Sequence, residues 1–171
     1  MKKLVFIFST IVALAFTTQV NAQKQNLVEI AVGNDNFSTL VTALKAADLV
    51  GALQGDGPFT VFAPTNDAFA KIDSNTLGAL LKPQNKGKLS SILTYHVVSG
   101  NLQAKDVAAA LKKGKGKVEL TTLSGATLKV MQKNGKIWLK DQNGNYSEIT
   151  ATDIKGTNGV IHVISDVVMP K

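Results

Sequence analysis

The sequence predicts an α+β fold, with helices in its first half and antiparallel strands in its second. Two observations support this: apolar residues recur at helical spacing from residue 27 to residue 111, and short β-favouring runs separated by glycine turns follow. Elements grouped in this order are typical of α+β domains rather than of parallel α/β sheets. Because no repeat or linker interrupts the pattern, we predict a single domain over residues 23–171.

The first 22 residues form a separate segment. Lys2 and Lys3 precede an apolar run from residue 4 to residue 16, and Ala22 provides a small residue at a cleavage position. This pattern predicts a secretory signal peptide over residues 1–22. The apolar run is shorter than the about 20 residues that span a bilayer, so we predict no transmembrane anchor after cleavage.

Helical spacing begins soon after this segment. A short helical turn carries Leu27, Ile30 and Ala31 on one face, and the next helix is expected to begin after Asn36 and to end before Gly51. Further along, Ser74 is expected to cap a helix that Pro83 ends. The remaining predicted helices are one that carries Leu89, Ile92, Leu93 and His96, and one over residues 104–111.

Residues 57–69 combine a turn, a strand and a helix start. The sequence reads Gly-Pro-Phe-Thr-Val-Phe-Ala-Pro-Thr-Asn-Asp-Ala-Phe, of which residues 59–63 are apolar and β-favouring. Pro64 stops the strand. Thr65 is placed to cap the following helix, and Asp67 puts a negative charge near the positive end of the helix dipole.

Strands account for the second half. We predict them at residues 118–123, 127–133, 136–141, 148–152 and 160–168, separated by Ser124-Gly125, Asn134-Gly135 and Asn143-Gly144. Asn134-Gly135 has the composition of a type I′ turn, which joins two antiparallel strands directly.

Three segments together resemble the signature boxes of the fasciclin domain. They are residues 57–69, the Leu-Thr-Tyr-His-Val-Val-Ser-Gly segment at 93–100, and the closing Asn-Gly-Val-Ile-His-Val-Ile-Ser-Asp-Val-Val-Met-Pro segment at 158–170. The resemblance implies a β-sandwich wedge with several helices packed on it. It also implies an adhesion or interaction role, to which the matching pair Tyr95 and His96 contributes.

The composition disfavours several classes of function. All nineteen basic residues are lysine, and nucleic-acid recognition relies strongly on arginine, so we predict no nucleic-acid partner. With no cysteine and no metal-ligand spacing around His96 or His162, we predict no metal, no cofactor and no enzymatic activity. The absence of cysteine also removes the residue to which a bacterial lipid anchor is attached.

Two surface features are candidates for binding. Lys112, Lys113, Lys115 and Lys117 alternate with glycines, which predicts a mobile basic loop able to attract an anionic glycan or an anionic membrane surface. Trp138 is predicted to face outward with its lysine neighbours if Ile137 and Leu139 face the core. An outward tryptophan between lysines suits glycan stacking or a protein contact, whereas a covering loop would make it structural.

The segment before the closing box is a third candidate. Asp153 and Ile154 match the centre of an integrin-recognition motif in animal matrix members of the family, although Ala151, Thr152 and Lys155 depart from its flanks. The alternative is structural, with Asp153 capping a turn and Ile154 packing inward.

The sequence therefore predicts an exported, non-enzymatic adhesion or interaction module of a bacterial envelope or matrix. It is expected to be secreted, either to the periplasm or outside the cell, and to bind a protein or an anionic glycan at the cell surface. The alternative is a carrier of a small apolar, pigment-like ligand, which needs an internal cavity.

Overall fold

The computed structural model describes residues 25–171, so the predicted signal peptide lies outside the described residues. Three helices precede the first strand, and four further helices and a second strand complete the first half. The helices are α1 (Leu27–Val32), α2 (Ser38–Ala46), α3 (Val50–Gln54), α4 (Asn66–Ala70), α5 (Ser74–Leu80), α6 (Lys86–Tyr95) and α7 (Ala104–Lys113), with short 3-10 turns at Asp35–Phe37 and Pro83–Asn85.

Seven strands form a sheet with the order β2-β1-β7-β6-β5-β4-β3. The strands are β1 (Phe59–Pro64), β2 (Val97–Ser99), β3 (Lys117–Thr121), β4 (Thr127–Lys133), β5 (Lys136–Lys140), β6 (Tyr146–Gly156) and β7 (Gly159–Ile164). The α+β class predicted from the sequence is thus observed. The expectation of purely antiparallel strands is wrong for one pair, because β1 and β7 run parallel.

The sheet curves until its two ends nearly meet. Val98 in the edge strand β2 forms a bridge with Thr122, which follows β3, and the Leu123 amide donates to the Val97 carbonyl at 2.7 Å. The architecture is therefore a nearly closed, barrel-like wedge, and not clearly the two-sheet sandwich that the resemblance implied.

Two apolar cores lie on opposite faces of the central strands. In β1, Val61 and Ala63 face the core shared with α1 to α6, whereas Phe62 between them faces the core inside the curved sheet. Because side chains alternate along a strand, one strand contributes to both cores. The second core is completed by Tyr95, Leu111 and the inward residues of β4 and β5.

The three signature boxes meet at the centre of the fold. β1 and β7 pair over their full lengths, and β2 lies on the other side of β1. Gly159 permits this approach, since a Cβ there would clash with the Phe59 carbonyl oxygen. Asn158 fastens the closing box to the helices, because its side-chain amide donates to the Leu53 and Gly55 carbonyls at 2.8 and 2.9 Å.

The predicted helix starts and ends are partly correct. Thr65 caps α4 as expected. Ser74 does not cap α5; Asp73 does, through a 2.9 Å bond from the Thr76 amide to its carboxylate. The helix expected to run up to Gly51 ends at Ala46, because Asp48 has a positive φ of 60° and redirects the chain into α3.

Across residues 25–171, the helices are all too short or too polar to cross a bilayer.

Candidate functional site

The outer face of strands β3 to β6 carries a groove of about 610 Å³. Its lining combines one tryptophan, one tyrosine and one methionine with four lysines. We call it the Trp138 groove, and its lining residues are Lys115, Gly116, Lys117, Met131, Gln132, Lys133, Asn134, Lys136, Trp138 and Tyr146.

The floor of the groove is set by strand register. Met131 on β4 lies directly opposite Trp138 on β5, so their side chains stand next to each other on the same face of the sheet. Both are half-buried. Their chain neighbours Val130 and Leu139 are completely buried on the opposite face, which requires Trp138 to point away from the core.

One rim of the groove is a tight turn between α7 and β3. The Gly116 amide donates to the Leu111 carbonyl at 2.7 Å, and the Gly116 carbonyl accepts from the Gln132 amide at 3.0 Å. Gly114 is required at the helix end, because a Cβ there would clash with the Lys117 carbonyl oxygen. The turn thereby holds Lys115 and Lys117 beside β4.

The predicted basic loop is divided by this turn. Lys112 and Lys113 belong to the last turn of α7 and do not line the groove, whereas Lys115 and Lys117 do. The expectation that all four lysines share one mobile loop is therefore wrong. The helix continues through Lys113 because cations are favourable at the negative end of a helix dipole and Gly114 supplies the C-cap.

The electrostatics of the outer face are uneven. Lys136 pairs with Glu148 at 2.7 Å and Lys129 with Glu119 at 3.0 Å. Lys140 lies 5.1 Å from the centre of the Tyr146 ring, a cation–π geometry. Within residues 25–171, Lys115, Lys117 and Lys133 form no salt bridge, and no carboxylate lines the groove. The groove is therefore electropositive.

Comparison with known proteins identifies the family. The fasciclin domain model matches residues 35–170. The chain belongs to the fasciclin domain family. A Synechocystis protein, sll1483, is 48% identical over 144 residues that cover 84% of this chain and 73% of that protein. The pig transforming growth factor-beta-induced protein ig-h3 is 34% identical over 144 residues, which cover 84% of this chain and 19% of that protein.

A solved structure agrees with the fold. The FAS1 domain pair of the insect cell adhesion molecule fasciclin I superposes with a TM-score of 0.73 at 19% identity, over 84% of this chain and 50% of that chain. Fasciclin domains occur in cell adhesion proteins, and this insect molecule is one of them.

The fasciclin tyrosine and histidine pair lies inside the protein. Tyr95 is fully buried, and its hydroxyl donates to the Thr127 carbonyl at 2.9 Å. Burial, followed by the nearby Asp141 carboxylate, raises the pKa of Tyr95 to about 12. Tyr95 therefore links α6 to the start of β4 and presents no surface to a partner.

His96 uses both ring nitrogens internally. Nδ1 lies 2.8 Å from the Ile92 carbonyl oxygen, and Nε2 accepts from the Val168 amide at 3.2 Å. This pattern fits a neutral ring protonated on Nδ1. Burial lowers the pKa of His96 to about 4. The His96 ring, at the end of α6, thus holds the segment after β7 in place through the hydrogen bond from Val168.

The Asp153 and Ile154 pair is also engaged with the fold. The Asp153 carboxylate accepts from the Ala104 amide at 2.8 Å, at the start of α7, and its own amide donates to His162 Nδ1 at 3.4 Å. Ile154 is partly buried against the first core. Asp153 lies in a bulge of β6 and has a positive φ of 60°. These contacts give Asp153 a structural task besides any role in binding.

In the part of the chain that the structure describes, no group of three or more metal-ligating side chains comes together. His162 Nε2 lies 2.7 Å from the Leu102 carbonyl oxygen, so its second nitrogen is engaged as well.

One apolar pocket lies within the first core. A pocket of about 20 Å³ lies between α1, α2, α3 and the central strands and is lined by apolar residues: Leu27, Val28, Ala31, Leu40, Leu44, Leu53, Val61, Ala63 and Ile161. Small-molecule sites usually measure about 300–1,000 Å³. This pocket is too small for a pigment-like molecule.

Sequence reasoning named Trp138, Lys115 and Lys117 but missed Met131, Lys133 and Tyr146. The sequence did contain a signal for Met131 and Lys133. A two-residue Asn134-Gly135 turn makes Lys133 and Lys136 partners, which places Met131 opposite Trp138. Tyr146 was outside the predicted strand, since β6 begins two residues earlier than expected.

Proposed function

We propose that this fasciclin protein is an exported, non-enzymatic adhesion module of a bacterial cell envelope or matrix, which binds its partner in the Trp138 groove. The partner is a protein or an anionic glycan at the cell surface. The observation that carries the proposal is the groove itself, in which an outward tryptophan and methionine lie among four lysines, three of which form no salt bridge within residues 25–171.

Three features support this function. A half-buried tryptophan in a concave site offers the kind of anchor that dominates binding energies at interfaces. Unpaired lysines steer an anionic partner to the groove. Fasciclin domains occur in cell adhesion proteins, which favours binding over catalysis.

The proposal is tested by the adhesion of native envelope and matrix fragments to surfaces coated with the mature protein. Trp138→Ala should abolish most of the retained material while the melting temperature stays nearly unchanged, because Trp138 lies outside both cores. Val32→Ala is the matched control, since Val32 is 58% exposed on α1 and does not line the groove.

Equal retention by wild type and Trp138→Ala would contradict the proposal. Retention lost in Asp153→Ala but kept in Trp138→Ala would move the binding site to the bulge of β6. The carrier alternative is checked separately by the absorption spectrum of protein purified from its native host, in which we expect no bound chromophore.

A further inference from the structure

The Trp138 groove has an arrangement of charge that selects among possible partners. Four lysines line it, and one of them, Lys136, is neutralised by Glu148 at 2.7 Å. The remaining three, Lys115, Lys117 and Lys133, have no salt bridge within residues 25–171. An anion could therefore bind these three ammonium groups without breaking a salt bridge to a carboxylate of the described residues.

The three free lysines surround the apolar floor. Lys117 on β3 lies opposite Met131, which lies opposite Trp138, so the row runs from a charge through a thioether to an indole across three strands. Neighbouring strands are about 4.8 Å apart, which puts Lys117 and Trp138 at backbone positions about 10 Å apart. Lys133 lies two residues beyond Met131 on the same face.

An extended acidic peptide fits this surface poorly. Met131 and Trp138 belong to β4 and β5, which are interior strands whose backbone groups are paired on both sides. A peptide cannot add there as a further strand, which is how extended peptides usually gain affinity on sheets. A sugar chain needs no backbone ladder, and the C–H face of its rings packs on an indole.

The concave shape of the groove and its lysine-only basic residues also disfavour a membrane surface and a nucleic acid as partners. Membrane surfaces are bound by protruding basic patches or amphipathic helices, whereas this site is concave. Lysine ammonium groups bind carboxylates and sulfates as point charges, without the planar fork by which arginine reads phosphates and bases. Single strands of nucleic acid stack successive bases on several rings, whereas the groove holds two, Trp138 and Tyr146, and the Tyr146 ring already lies beside Lys140.

We propose that the Trp138 groove binds a linear anionic polysaccharide. One sugar ring packs on Trp138 and Met131, and the carboxylate or sulfate groups of the chain lie among Lys115, Lys117 and Lys133. This inference rests on the proposed adhesive function and names the class of partner for the same site.

Trp138 itself reports the binding, because it is the single tryptophan of the chain. Titration with polygalacturonate at low salt should change Trp138 fluorescence saturably, and fully methyl-esterified polygalacturonate should not. Dextran sulfate and uncharged dextran provide the same comparison for sulfate, so the two titrations show whether the groove prefers carboxylate or sulfate groups. The fluorescence change should weaken as added salt shortens the Debye length to about 8 Å and below.

The triple variant Lys115→Gln, Lys117→Gln and Lys133→Gln should bind polygalacturonate roughly tenfold more weakly, because three ion pairs are lost. The control is Lys45→Gln, Lys82→Gln and Lys88→Gln, which removes the same charge from exposed positions outside the groove and should change affinity less than about twofold. Both triple variants should melt near the wild-type temperature.

Several results would overturn the inference. Equal affinity for the ester, or equal weakening in both triple variants, would show that the groove lysines do not recognise the anion. Equal or tighter binding of polyglutamate, oligothymidylate or phosphatidylserine vesicles would assign the groove to another class of partner. If no polysaccharide binds but envelope material is still retained through Trp138, the adhesive function stands and the polysaccharide is not the partner. If envelope material is retained without Trp138, both the proposed adhesive site and the polysaccharide partner are contradicted.

Discussion

His96 is a buried histidine whose neutral state is built into the hydrogen-bond pattern. Ile92 accepts a bond from one ring nitrogen and Val168 donates to the other, so a second ring proton has no acceptor. The pKa of His96 is lowered from 6.5 to about 4 mainly by burial. The unfolded chain therefore binds a proton before the folded one does.

The consequence is a loss of stability in mild acid. The contribution of neutral His96 is fully present above about pH 6.5, and it falls as the pH drops through 6.5 to about 4. The full loss is on the order of 3 kcal/mol. Urea unfolding at pH 7 and pH 4.5 should show a larger acid loss for wild type than for His96→Gln. Equal losses would show that His96 does not titrate in this range.

A substitution of Phe62 tests whether the strand of the first signature box is buried as described. Its side chain is completely buried, and its ring centre lies 5.8 Å from that of His162. Phe62→Ala should reduce the free energy of unfolding by about 3–5 kcal/mol, through lost apolar burial and a residual cavity. Thermal and urea melts measure this, with Val32→Ala as a surface control. A loss below about 1 kcal/mol would contradict the assigned packing.

At the scale of elements, the turn between α7 and β3 positions the basic rim. Gly114→Ala should lower stability and weaken polygalacturonate binding together, because the new Cβ clashes with the Lys117 carbonyl and moves Lys115 and Lys117. Gly78 in α5 has free space around its Cα, so Gly78→Ala should instead stabilise by about 0.5–1 kcal/mol. If Gly114→Ala is destabilised but binds polygalacturonate normally, the turn does not position the lysines that bind in the groove.

Asp153 connects the bulge of β6 to the start of α7. Asp153→Ala removes the acceptor of the Ala104 amide and places alanine at a positive φ, so we expect a loss of about 1–2 kcal/mol with unchanged retention of envelope material. Asp153→Asn keeps an acceptor and tolerates this φ, and should lose less. Retention that falls in Asp153→Asn, with stability intact, would favour a binding role for Asp153.

Elements with strong local signals were predictable from the sequence. β4 matches its predicted bounds, and the Asn134-Gly135 turn has positive φ at both residues, as a type I′ turn requires. Elements determined by distant contacts were not. β6 extends from Tyr146 to Gly156 because residues 146–148 pair with β5 and residues 149–156 with β7, which no local pattern in its polar sequence indicates.

The same limit applies to the candidate site. Trp138 and two groove lysines were found from composition and alternation, because both signals are local. Met131 and Lys133 follow from the Asn134-Gly135 turn, which sets the register of β4 against β5, whereas Tyr146 joins the site through the pairing of β6 with β5, which its local sequence pattern does not indicate. The integrin-like match at Asp153 shows the converse, since a motif alone did not reveal the bond to Ala104.

At the scale of the whole molecule, β1 and β7 link the two cores. Because each strand contributes side chains to both, neither core can persist after the other is lost. Unfolding should therefore be a single transition, with coincident midpoints by far-ultraviolet circular dichroism and by Trp138 fluorescence. Leu40→Ala in the first core and Phe62→Ala in the second should each shift both signals equally. A fluorescence transition that precedes the helical one would show independent units.

The parallel pairing of β1 with β7 also determines when the chain can fold. β1 remains without its parallel partner β7 until residues 159–164 have been synthesised, and a pairing over so many intervening residues carries a high entropic cost of loop closure. The middle of the sheet can therefore form only when nearly the whole chain is available. This order suits the export proposed above, because a chain that cannot yet complete its sheet would stay unfolded enough to pass through a membrane translocase.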